Sequence, residues 1–174
     1  MNSETKFVMV DVETTGVRPT SRILTLGAVV FNAQDLFENE QIYRRLKFKC
    51  EAPFTEDFTT MEWWNKQNPL VREEAFGGKQ DYHEGLADFV QWYKNTGAEG
   101  VFSNHAGFDI PIIECSLRAM TLPYPWKHWE VFDYATLKYL LKKIPASPNK
   151  YPHVAIDDAI TQARHCIQLL RYIN

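Results

Sequence analysis

The sequence predicts an α/β fold, a mixed sheet with helices on both faces. Two observations carry that expectation. Runs at 7–12, 23–31 and 41–49 follow one another with no segment long enough for a helical crossover, so they should pair antiparallel, as a meander. Beyond them, short strand-like runs near 100–103 and 130–132 alternate with helical segments, the pattern of parallel strands joined by helices.

Each element has a local reason. Residues 7–12 are almost wholly apolar, as a strand buried on both faces requires. In the run at 23–31, Gly27 permits a bulge or the close approach of another backbone. At 41–49 the pattern alternates, with Leu46 and Phe48 on one side and Arg45, Lys47 and Lys49 on the other. Residues 59–67 read as a helix, punctuated by Asn68-Pro69 before a second helical stretch to about Phe76. Leu86, Phe89, Val90 and Tyr93 recur at helical spacing and predict an amphipathic helix over 82–95 that stops at Gly97. A helix should open near Asp109, with Pro111 tolerated in its first turn. Asp133 is placed to cap a helix over 134–142. Three prolines make 145–152 a loop, and the last helix carries Ile156, Ile160, Ala163, Ile167 and Leu170 on one stripe.

At 174 residues the chain is expected to form a single domain, 1–174, with a sizeable core. Its formal net charge of −3 argues against a protein that coats long nucleic acid, which is usually basic. If it handles nucleic acid it should grip a short stretch, with bound metal supplying much of the positive charge. Cys50, Cys115 and Cys166 are scattered and fit no zinc-site spacing, which predicts reduced thiols in a cytoplasmic setting. The first residues show no signal-peptide pattern, and no apolar stretch is long enough to cross a bilayer.

Three carboxylate-bearing segments carry the chemistry: 11–16 (Asp-Val-Glu-Thr-Thr-Gly), 104–109 (Asn-His-Ala-Gly-Phe-Asp) and 153–158 (His-Val-Ala-Ile-Asp-Asp). Asp11 and Glu13 are two apart on a strand and so share a face. Two acids side by side repel and lose solvation, and a bound Mg²⁺ or Mn²⁺ relieves both costs. Asp109 follows a strand and opens a helix, where capping alone would also explain it. Asp158 lies off the apolar stripe of the last helix, near its start, and a solvated first-turn acid is the bland alternative. His153 sits in the proline-rich loop, mobile and open to solvent, as a general base requires. Together the set suits two divalent cations and a base that makes hydroxide from water, and points to phosphodiester cleavage.

In that joint order the chain resembles the DEDDh-type 3′-5′ exonucleases of the ribonuclease H-like superfamily. The resemblance runs from residue 7 to about 165. It implies Asp11, Glu13, Asp109 and Asp158 as metal ligands and His153 as the catalytic base. The segment Met61-Glu62-Trp63-Trp64-Asn65-Lys66-Gln67 resembles a Trp-Trp-x-x-Gln helix in small bacterial and phage 3′-5′ exoribonucleases. It is also similar to a Met-x-x-Trp segment of oligoribonucleases, whose Trp lies near the terminal base. That likeness points to Trp64 and leaves Trp63 to pack the helix on the sheet. Many proofreading members place Asn four residues before the second-motif Asp, whereas here His105 stands there and Asn104 one residue earlier. The exoribonuclease group accommodates that spacing.

The resemblance further implies a ribonuclease H-like sheet and two ions, Mg²⁺ or Mn²⁺, roughly 4 Å apart across the scissile phosphate. The substrate would be the 3′ end of single-stranded RNA, or of DNA. Thr14, Thr15 and Gly16 would contact the terminal sugar. Leu26, Trp64 and Phe108 would wall the terminal bases; from the residues alone, Asn104 and Phe108 read evenly as shaping the pocket or as a loop amide and a core ring. Relatives are often dimers, so a homodimer is carried over with the rest. Lys150 is read first as a solvated loop lysine and second as a phosphate contact, whereas the basic face of Arg45, Lys47 and Lys49 is read equally as a solvated edge or as a track for the 5′ side of the strand. Three other readings remain: a non-catalytic nucleic-acid-binding adaptor on the same fold, a DNA-specific exonuclease, and a ribonuclease H-like endonuclease.

Overall fold

The computed structural model describes residues 4–49 and 51–173. Its strands are β1 (Phe7–Thr14), β2 (Ile23–Phe31), β3 (Leu36–Arg45), β4 (Val101–Ser103) and β5 (Val131–Asp133). Its α-helices are α1 (Phe58–Asn65), α2 (Pro69–Phe76), α3 (Tyr82–Thr96), α4 (Asp109–Ala119), α5 (Tyr134–Leu140) and α6 (Ala155–Ile173). The strands form one sheet in the order β3-β2-β1-β4-β5. The β1–β2 and β2–β3 pairs are antiparallel, and β1–β4 and β4–β5 are parallel. This is the mixed sheet expected from the sequence.

Burial on both faces follows from the period of two along β1. Val8, Val10 and Val12 join one core with residues of α3 and α4, among them Leu86, Phe89, Ile113 and Leu117. Phe7 and Met9 join a second core on the opposite face with Ala159, Ala163, Cys166 and Leu170 of α6. Asp11 and Glu13 continue the α6 face of the strand, where the apolar residues stop.

The helix caps are those the sequence calls for. Asp57, Asn68, Asp81 and Asp133 each accept backbone N–H bonds at the start of α1, α2, α3 and α5. Gly97 closes α3 in the left-handed conformation, at φ 68°.

Four expectations need correction. The third strand begins five residues earlier than predicted and ends at Arg45. The cause is Asn32, whose side chain accepts from the Gln34 and Asp35 backbone nitrogens and turns the chain at once. Two of the three basic residues at and beyond the strand's end are paired: Arg45 with Glu74 at 3.2 Å and Lys49 with Glu51 at 2.7 Å. The buried stripe of α6 is rotated toward Ala155, Ala159, Ala163 and Cys166, leaving Ile156 and Ile160 only partly buried. Small residues win there because the helix lies close on the sheet. Asp109 does not cap α4; Phe108 holds that position, and Asp109 turns inward. Of the thiols, Cys166 is buried and free and Cys115 free and partly exposed, while Cys50 lies outside the described residues.

Candidate active site

The third segment is brought to the first by Gly27. It pairs with Asp11 in the β1–β2 register. A β-carbon added there would stand 2.3 Å from the Ile156 nitrogen. The first turn of α6 therefore rests on the sheet beside Asp11, and only glycine allows it to come so close. Asp158 is carried in with that turn.

Glu13, His153 and Asp158 form the tight cluster, each offering a ligand atom within 4.8 Å of the others. Asp158 is held by two donors. The His153 backbone N–H reaches its Oδ2 at 2.8 Å, and the Asn149 amide reaches its Oδ1 at 2.7 Å. The same loop thus positions both the histidine and the acid. His153 takes a left-handed backbone, at φ 65°, which is uncommon for a residue with a β-carbon.

Asp11 and Asp109 flank this cluster. Gln162, one turn beyond Asp158 on α6, donates to Asp11 Oδ1 at 2.9 Å. Asp109 is only 3% exposed, and its Oδ1 accepts the Val12 N–H at 3.3 Å. That bond ties the start of α4 to β1 between the two acids of the first segment.

The electrostatics join all four acids. Burial, and then Asp109, Glu13 and Asp158, hold the Asp11 carboxyl well above the ordinary carboxylate range. Burial, and then Asp158 and Asp109, push Glu13 up to about 8. Burial raises Asp109 to about 6, against the pull of its hydrogen bonds. None of the ion pairs among the described residues involves these acids. Converging carboxylates that none of these ion pairs neutralises fit a divalent cation, because oxygen ligands of this charge are what Mg²⁺ and Mn²⁺ take.

Beside Glu13 lies a cavity of about 370 Å³, lined by Thr14, Gly16, Trp63, Trp64 and Phe108 among others. Several sequence-predicted substrate contacts are placed elsewhere. Leu26 is 1% exposed and belongs to the core between β1 and α4. Thr15 is fully buried and gives its hydroxyl to the Thr55 carbonyl at 2.8 Å, so it secures the turn. Asn104 is held by Lys138 at 2.6 Å. The two tryptophans exchange roles. Trp64 is 1% exposed and donates its Nε1–H to the Thr14 carbonyl at 2.9 Å. Trp63, 38% exposed, lies edge-on to the His153 ring with centroids 4.9 Å apart. Lys150 lies exposed, over the Tyr151 ring.

Three further residues, Gln162, Asn149 and Trp63, gain a place at the site in the structure. Gln162 could have been found, since it stands four residues after Asp158 on one helix. Asn149 and Trp63 carry no such signal, because their roles depend on how the loop and α1 fold onto the site.

Residues 6–170 match the family described as the 3′-5′ exoribonuclease Rv2179c-like domain. The chain belongs to this family. It is a 3′-5′ exonuclease domain, and the resemblance read from its three acidic segments holds. No curated protein matches the chain. Among solved structures it is similar to E. coli exonuclease I in complex with a dA16 oligonucleotide, with TM-score 0.70 and 13% identity over 98% of this chain and 43% of that one. A zinc-bound E. coli exonuclease I–ssDNA complex gives TM-score 0.70 at 14% identity, over 97% of this chain and 42% of that one. The nuclease domain of 3′hExo, a DEDDh family member bound to rAMP, gives 0.68 at 16% identity, over 99% of this chain and 95% of that one. At these identities the likeness is one of fold, the ribonuclease H-like exonuclease fold. The chain spans less than half the length of exonuclease I. Among the described residues, no helix is long and apolar enough to cross a membrane.

Proposed function

We propose that this chain is one exonuclease domain that removes nucleotides from the 3′ end of single-stranded RNA, using Asp11, Glu13, Asp109 and Asp158 as metal ligands and His153 as general base. The observation that carries the reading is the gathering of Glu13, His153 and Asp158 within 4.8 Å, flanked by Asp11 and Asp109. Divalent-metal dependence follows from the acid set and from the family. Single-stranded nucleic acid as substrate is supported by the complexes of the fold neighbours, and RNA by the family's description.

Divalent cations, Mg²⁺ or Mn²⁺, when held by the four acids, supply charge neutralisation at the scissile phosphate and a water of lowered pKa. The protein's own groups do the rest. His153 accepts the proton of the attacking water, whose oxygen bonds to phosphorus in line with the departing group. The bond from phosphorus to the 3′ oxygen of the penultimate nucleotide breaks, that oxygen takes up a proton from solvent, and a nucleoside 5′-monophosphate leaves. The cavity beside Glu13 receives the terminal nucleotide. Gly16 is part of its lining, packed where a β-carbon would crowd Ser21 and Asp57, and the rings of Phe108 and Trp63 offer faces for stacking.

Topology of the substrate tests this reading. A linear single strand should be degraded to 5′-monophosphates, and the same strand closed into a circle should survive. Cutting of the circle would replace the exonuclease by an endonuclease.

A further inference from the structure

We propose that Trp63 is a positioning residue for His153, the wall that keeps the imidazole turned toward Glu13 and Asp158. The inference rests on His153 as general base and extends that reading to the group that aims it.

Three observations converge. The Trp63 and His153 rings meet edge to face at 84°, with centroids 4.9 Å apart, a geometry favoured by the aromatic quadrupole. Trp63 sits on a fixed support. Its neighbour Trp64 anchors α1 to the Thr14 carbonyl, and Asp57 both caps α1 and donates its backbone N–H to the Thr15 carbonyl at 2.9 Å. α1 is thereby tied to the end of β1, next to Glu13.

His153, by contrast, has room to leave. It also lines a cavity of about 800 Å³ with Tyr43, Leu70, Tyr151 and Val154. Its loop is tied to the site by the bonds of His153 N–H and Asn149 to Asp158, which fix the backbone and leave the ring free to rotate. Trp63 lines the smaller cavity and His153 the larger, and the two rings meet. Truncating Trp63 removes the ring that His153 packs against and gives the imidazole room on that side as well. A base must lie within hydrogen-bond reach of the proton it takes, and a misplacement of about 1 Å can cost about 10²-fold.

The test is a double-mutant cycle on a single-stranded oligonucleotide, reading kcat and KM separately. Trp63→Ala should lower kcat by about 10- to 100-fold, with a smaller change in KM, and Trp63→Phe should restore most of the rate. In a His153→Ala background, Trp63→Ala should lower kcat no further. Multiplicative losses in the double mutant, or a change confined to KM, would make Trp63 a substrate contact alone and overturn the proposal. A silent His153→Ala would remove the base assignment itself, and the role of Trp63 with it. Circular dichroism of each variant shows that the fold is retained. Should Trp63→Ala unfold, Trp63→Leu repeats the cycle with the bulk kept and the ring removed.

Discussion

Gly27 of β2 and Ile156 of α6 are in backbone contact. A β-carbon on Gly27 would come within 2.3 Å of the Ile156 nitrogen and 2.4 Å of the Ala155 carbonyl carbon. Through that contact the sheet sets the height of the turn that carries Asp158. Gly27→Ala should therefore both destabilise and inactivate. The gain of about 0.4–1 kcal/mol that alanine brings by restricting the unfolded chain is outweighed by overpacking of about 1–3 kcal/mol. Denaturant midpoints and exonuclease rates check this, and a stabilised, fully active variant would refute it.

The stability of the metal-free protein should fall as pH rises. Glu13 keeps its proton up to about 8 in the fold against an ordinary 4.5, and Asp109 up to about 6 against 3.8. Across the window from about 4 to about 8 the folded chain holds protons that the unfolded chain has released. Stability thus declines through it and levels off above. Mg²⁺ competes with those protons, so its stabilising effect should be largest at the upper end. Melting curves in EDTA and in Mg²⁺ at stepped pH test the sign.

Asp109→Asn should separate stability from activity. The asparagine keeps an oxygen for the Val12 N–H and removes one of the mutually repelling buried charges. The metal-free variant should melt higher than the parent at pH 8 and higher by a smaller margin at pH 5, because the unfolded parent already releases the Asp109 proton above about 4 while the fold holds it to about 6. Cleavage should be lost at both. Retained cleavage would remove Asp109 from the ligand set.

Trp64→Phe should cost about 1–3 kcal/mol, since the buried Thr14 carbonyl loses its Nε1–H donor. The loss should appear in the denaturant midpoint. It should also appear as a raised KM, because the Thr14 carbonyl belongs to the turn that lines the terminal-nucleotide cavity.

Much of this arrangement was legible in the sequence. The two-residue offset of Asp11 and Glu13 put both on one face of β1, and the connection lengths gave the switch from antiparallel to parallel pairing. Features that depend on three-dimensional approach were not legible. Nothing local marks Trp64 as the buried ring and Trp63 as the exposed one, because α1 is almost evenly polar around its axis and tertiary contacts decide its rotation. The stripe of α6 was misread for a related reason: isoleucines dominate the pattern by hydrophobicity, yet alanines face the sheet because Gly27 lets the helix approach. Leu26 fell into the core because its strand is buried on both faces and alternation carries no information there.

Matched single-stranded RNA and DNA carrying a 5′ label, incubated with Mg²⁺ or Mn²⁺ and separately with EDTA, test the central claim most directly. The account predicts a ladder that shortens from the 3′ end, faster on RNA, and absent both in EDTA and in Asp109→Ala. Binding of either strand without cleavage in any metal would contradict it and leave a nucleic-acid-binding adaptor on an exonuclease fold.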